Sequence, residues 1–221
     1  MTSNVNAEEL LISLTSKYPD LVKPIGDVSQ SDSGERFIEM DFECIHLDKI
    51  PFMVNQSDEE RNCFCTDTLI FDEERETIYL IEFKTGWPKK ENSKEIRFKC
   101  YEAIAKLSKH WSIFLNKNRS DFFNLKIKYC LITRGSKKQD ITHPSFLNVL
   151  NGSIGFFKLK TLDNTIVDET RVIINEQDIF SFLSRITKSH SMRYYNKDRS
   201  SYVHWSKTQN GTISSSQHLI I

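Results

Sequence analysis

The strongest constraint on this chain is residues 65–86, CTDTLIFDEERETIYLIEFKTG. Two apolar runs, Thr68-Leu69-Ile70-Phe71 and Ile78-Tyr79-Leu80-Ile81, flank the polar stretch Asp72-Glu73-Glu74-Arg75-Glu76. Both runs are rich in β-branched and aromatic residues, so they read as strands joined by a tight turn. A hairpin that closes at Glu74-Arg75 sets Asp67 opposite Glu82. Side chains alternate faces along a strand, so Asp67, Glu82 and Lys84 then share one face at the open end.

Two carboxylates and a lysine at one sheet end suit a metal-dependent phosphodiesterase. Mg²⁺ takes one or two carboxylates, several waters and substrate phosphate oxygens. Asp67 and Glu82 supply the carboxylates in this reading, and the Phe83 backbone carbonyl one further oxygen. The expected cofactor is therefore Mg²⁺, with Mn²⁺ as a substitute. Lys84 would orient the attacking water and offset charge on the phosphate. A plainer reading makes Asp67 and Lys84 a cross-strand ion pair at a sheet rim, worth at most about 1 kcal/mol if exposed. It makes Glu82 a solvated strand end. That reading leaves unexplained why two apolar strands carry their charges at one shared end.

With Asp67 at the start of one strand and Glu82-Phe83-Lys84 at the end of the next, the chain resembles the PD-(D/E)XK nuclease superfamily. A Glu-x-Lys tripeptide alone is common; its place on an apolar strand, in register with an Asp on the neighbouring strand, is the specific part. Thr66 stands where the superfamily often has proline. The resemblance implies an α/β, restriction-endonuclease-like fold. Its core order is α-β-β-β-α-β, with a mixed four-stranded central sheet flanked by helices. It implies a Mg²⁺-dependent nuclease that hydrolyses DNA, with RNA as the other substrate. A homodimer or a larger nucleoprotein assembly fits the same expectation. Relatives often recruit one more carboxylate from the first helix or from the segment before the first strand. Glu8, Glu9 and Glu35 are candidates, and Glu35, just before that strand, is preferred as a further metal ligand. Cap-snatching viral endonucleases use a helical histidine as a metal ligand, whereas His46 ends an expected strand, so it is assigned a structural or surface role. A second class of function is a non-catalytic protein of this fold, an inhibitor or adaptor in a nucleic-acid or phage-defence system.

The rest of the sequence frames this site. Across 221 residues, 38% are hydrophobic and 27% charged, with 15 Phe against seven Gly and five Pro. This balance favours one folded core over disorder. No apolar run approaches the length of a membrane span, and MTSNVNAEEL lacks the features of a signal peptide, so no membrane association and a cytoplasmic location are expected. Five scattered cysteines form neither a zinc-finger spacing nor an even disulfide set. Cys44, Cys100 and Cys130 fall in apolar patterns and read as core thiols.

Periodicity predicts a helix over 7–18, with Asn6 as its N-cap. The alternation Ile38-Glu39-Met40-Asp41-Phe42-Glu43-Cys44 predicts one edge strand with a wet face. After the hairpin, Ile96, Cys100, Ile104, Leu107, Trp111 and Phe114 mark a long helix over 93–116. Lys94, Arg97 and Tyr101 on that helix are candidates to point toward the open end of the hairpin. A strand follows over 125–134. This order of elements is helix, strand, strand, strand, helix, strand. Further on, 143–150 and 176–186 read as helices and 154–160 as a strand. Residues 1–188 are expected to form one nuclease domain, with a core at about 7–134 and an elaboration over 135–188. Residues 189–221 have no period and read as a basic, aromatic, mobile tail. Six bases stand against one acid between Arg185 and Lys207. Within the tail, Arg193, Lys197, Arg199, Tyr194 and Trp205 are candidate nucleic-acid contacts, because cations meet phosphates and rings stack on bases.

Overall fold

A computed structural model describes residues 2–31, 33–51, 65–88, 92–134, 157–196 and 200–220. The hairpin forms in the expected register. Strand β4 (Thr68–Asp72) pairs antiparallel with β5 (Thr77–Lys84), Thr68 against Ile81 and Asp72 against Thr77. A short 3-10 turn joins them, closed by Glu76 in the left-handed region at φ 49°. Extending this register one step places Asp67 opposite Glu82.

The hairpin is the centre of a six-stranded mixed sheet. On its β4 side lie β3 (Glu43–His46) and then β1 (Val22–Pro24), all antiparallel. On its β5 side lie β6 (Ile127–Thr133) and β7 (Glu169–Ile173), both parallel. A parallel neighbour requires a crossover. The helix α3 (Ser93–Phe114) supplies it between β5 and β6, and packs beside α1 (Thr2–Lys17). The sheet thus has six strands where four were expected. The two added edges, β1 and β7, are short, and neither carries a clear period in the sequence.

Both faces of the sheet are covered, which explains why β5 is apolar on successive residues. Ile78 and Leu80 join a cluster with α1 and α3, while Tyr79, Ile81 and Phe83 join a second cluster on the opposite face. That opposite face packs on α2 (Ile25–Val28), on α5 (Glu176–Thr187), and on residues of a second sheet. The short α4 (Arg119–Phe122) leads into β6. The core thiols are as expected. Burial pushes Cys44 up to about 11 and Cys100 and Cys130 up to about 12, so all three stay protonated.

Three expectations are corrected. The helix starts before Asn6, whose side chain instead accepts from Lys117 Nζ at 2.7 Å. The alternating run at 38–44 is two strands in two sheets, not one edge strand. Ile38–Glu39 forms β2, which pairs with β8 (Ser191–Tyr195); the chain then turns at Met40–Phe42 and enters the first sheet as β3. An even-numbered apolar pattern serves both sheets, so periodicity alone hides the switch. Finally, residues 189–221 are not a mobile tail over their described length. They form β8, β9 (Ser201–Lys207) and β10 (Ile213–Leu219), giving a second sheet in the order β10-β9-β8-β2. Met192 and Tyr194 are buried in the second core cluster. The helix expected over 143–150 lies outside the described residues. The strand expected over 154–160 lies partly outside them, and its described end is the 3-10 turn Leu159–Thr161. No helix among the described residues is long and apolar enough to cross a membrane.

Candidate active site

Asp67 is fixed twice by its strand neighbours. Its backbone carbonyl accepts from Leu47 N at 2.9 Å, and its Oδ2 accepts from Phe83 N at 2.6 Å. Phe83 thus contributes an N–H to the site. Glu82 follows from the alternation of β5, on the face covered by α3. Its side chain is 0% exposed, so it is not the solvated strand end of the plainer reading. A buried carboxylate demands cations, and two are present. Lys84 Nζ lies 3.0 Å and Lys99 Nζ 2.9 Å from Glu82 Oε1. Lys99 also lies 3.9 Å from Asp67 Oδ1, and Glu95 lies 3.6 Å from Lys84. Among the described residues the buried Glu82 Oε2 has no hydrogen-bond partner.

The charges bias one another. Burial and then the neighbouring Glu82 push the Asp67 carboxyl well above the usual carboxylate value, against the pull of Lys99. Burial is the largest effect and would lower both lysines, but the neighbouring carboxylates together, Glu82 foremost, raise each of them. Both lysines therefore remain cationic at neutral pH.

These groups line a polar cavity of about 350 Å³, together with His46, Asp27, Asp48 and the loop after α2. His46, set aside on sequence, ends β3 beside Thr68 and faces the same cavity. Burial and then Lys49 lower its pKa, so it is neutral at pH 7. Lys99 was missed as well. The helix period carried its signal: Lys99 follows Ile96 by three residues and Glu95 by four, so Glu95 and Lys99 flank the buried stripe on one side. Glu95 and Lys99 are α3 side chains in ion-pair contact with the group, and among the described residues no such contact involves the expected Lys94, Arg97 or Tyr101.

Other candidates lie elsewhere. The Glu35 carboxylate is bound by the Arg134 guanidinium and does not join Asp67 and Glu82. Glu8 and Glu9 sit on α1, and Glu9 pairs with Lys117. Tyr194 is buried against Phe37, with ring centroids 5.5 Å apart. Trp205 faces inward against Phe180, at 6.2 Å. Neither ring is free to stack on a base. Arg193 is exposed, and Lys197 and Arg199 lie outside the described residues.

Among the described residues no three His, Cys, Asp or Glu side chains form a metal cluster. Two carboxylates converge instead, an all-oxygen set of the size Mg²⁺ uses when waters and phosphate complete its shell. The partnerless Glu82 Oε2 fits that role, since an orphaned buried carboxylate oxygen is otherwise costly. Comparison of the chain with family models, curated proteins and solved structures found no match.

Proposed function

We propose that this protein is a Mg²⁺-dependent nuclease of the PD-(D/E)XK type, with a restriction-endonuclease-like core, that hydrolyses phosphodiester bonds in DNA or RNA. One observation carries the reading. A fully buried glutamate with a partnerless oxygen faces an aspartate across a hairpin, and two lysines flank the pair. A structural ion pair needs one carboxylate and one cation; this group holds a second carboxylate at like-charge cost, which raises Asp67.

Asp67 and Glu82 would hold the ion, with the Phe83 carbonyl as a further oxygen. Bound there, Mg²⁺ would polarise the scissile phosphate and lower the pKa of a water. Lys84 is 27% exposed and faces the cavity, so its ammonium can orient the attacking water. Lys99 is held deeper, between the two carboxylates, where it balances their charge. The Phe83 N–H fixes the Asp67 rotamer before substrate arrives, which is the preorganisation that electrostatic catalysis requires.

The test is incubation of purified protein with plasmid, single-stranded DNA and RNA, in Mg²⁺, Mn²⁺ or EDTA. Cleavage is expected with either metal and not in EDTA. Asp67→Ala and Glu82→Ala should each reduce it by orders of magnitude. Full activity in a folded Glu82→Ala protein, or no cleavage of any nucleic acid with either metal, would overturn the assignment.

A further inference from the structure

We infer that the solvent-facing side of the second sheet binds single-stranded nucleic acid, with Arg193, Tyr202, His204 and His218 as the contacting residues. The substrate class rests on the nuclease reading above; the surface itself rests on different residues.

Strand register builds the surface. Arg193 opposes His204, and Tyr202 opposes His218. Alternation puts these four on one face, while Met192, Tyr194 and Trp205 point into the protein. The Arg193 guanidinium lies 5.6 Å from the Tyr202 ring centre. Tyr202 in turn lies parallel to His218, 13° between planes and 5.0 Å between centroids. The result is a three-layer stack of guanidinium, phenol and imidazole that ends on an exposed His218 ring. An unpaired base can extend such a stack, because every base has a π face. Ser206, Ser214 and Ser216 add hydroxyls around it.

The charges favour a polyanion. Among the described residues Arg193 and Arg36 are cations of this face, Arg36 lying 5.6 Å from the Tyr195 ring. Its carboxylate, Glu39, is engaged by Arg193 at 3.3 Å and by the Tyr195 hydroxyl. Among the described residues this carboxylate is therefore not free to bind sugar hydroxyls. A duplex hides its base faces and would leave the stack unused.

The sheet is also tied to the catalytic strand. One guanidinium, that of Arg134, donates to Tyr195 O at 2.7 Å, to Arg36 O at 2.6 Å and to Thr85 O at 3.1 Å. Thr85 directly follows Lys84. Arg134 thus joins the end of β8, on the second sheet, to the residue that follows Lys84.

Fluorescence anisotropy of the full chain in EDTA tests this, with labelled oligothymidylate and a duplex of equal length as probes. Oligothymidylate should bind more tightly than duplex. His218→Ala and Tyr202→Ala should weaken oligothymidylate binding by about 5- to 150-fold, the value of one stacked base. Arg193→Gln should flatten the slope of log affinity against log salt by about 0.7. Circular dichroism checks folding; should Tyr202→Ala misfold, His218→Ala on the edge strand decides alone. Unchanged oligothymidylate affinity in the folded variants, or equal loss for duplex, overturns the inference. So does a change confined to self-association, read by sedimentation. Binding of this kind without any cleavage overturns the nuclease reading alone; cleavage without any variant effect on binding overturns this inference alone.

Discussion

Glu82 sets the energetics of the site at the scale of one residue. A carboxylate removed from water needs cations or it protonates. Lys84 and Lys99 both lie within 3.0 Å of its Oε1. Either alone keeps the pair intact, so single substitutions should fold. The double Lys84→Met/Lys99→Met protein should lose about 3–5 kcal/mol, because a broken buried pair leaves an uncompensated charge. Saturating Mg²⁺ should restore part of that loss by binding only the folded state. Urea melts with and without Mg²⁺ measure both; a double variant as stable as the parent would show that the two ammonium groups do not stabilise the fold through Glu82. The roles of the two groups also separate kinetically. Lys84→Ala should cripple turnover yet keep Mn²⁺ binding by calorimetry, whereas Glu82→Ala should lose both. Equal loss of binding in the two variants would make Lys84 part of the ion site and not a positioner of water.

Element packing decides which side chains reach that face. Helix α3 buries Ile96, Cys100, Ala103, Leu107 and Trp111 against the sheet, and this rotation turns Glu95 and Lys99 toward the hairpin. Farther along, His110 is 1% exposed, and its Nε2 lies 2.9 Å from Ser13 Oγ of α1. Burial holds its pKa down from 6.5 to about 4. The unfolded chain thus takes up a proton near pH 6.5 that the folded chain refuses. His110 therefore costs no stability above that pH, and stability falls as pH drops from 6.5 toward 4. The loss amounts to about 3 kcal/mol at most. His110→Gln, which keeps a partner for Ser13, should show a smaller drop in Tm between pH 7 and pH 4.5. An unchanged drop would place the acid sensitivity in the carboxylates. The hairpin itself was legible down to its register, because a short polar turn leaves one closure that keeps both apolar runs paired.

At the scale of the whole molecule, Arg134 is the joint between the two sheets. It is buried, packs 4.9 Å over Phe37, and satisfies carbonyls from β5's exit, from the approach to β2 and from the end of β8. Arg134→Met should cost about 3–5 kcal/mol, since it orphans Glu35 and three carbonyls together. Removing residues 190–221 should likewise destabilise the protein, because Met192 and Tyr194 leave the second core and uncover Phe37 and Phe180. Thermal denaturation of both proteins measures this. A truncated chain with the parent's Tm would return the segment to the status of a dispensable tail. The basic-aromatic composition of 189–221 was legible. Its strands were not, since the successive Ser214, Ser215 and Ser216 fill the middle of β10 and erase the period.

The sequence by itself determined the hairpin, the long helix after it, and the shared face of Asp67, Glu82 and Lys84. Each follows from short-range rules, a period of 2 or 3.6 and a turn that fixes register. Only the tertiary structure decided that Lys99 and His46 reach the same cavity, that Glu35 belongs to Arg134, and that the C-terminal residues form a sheet. Those outcomes depend on which helix face is buried and on pairs such as Ile38 with Tyr194, far apart in the chain. No local pattern encodes the partner of a strand at that separation; it is chosen when the whole core closes around Phe37, Phe180 and Tyr194.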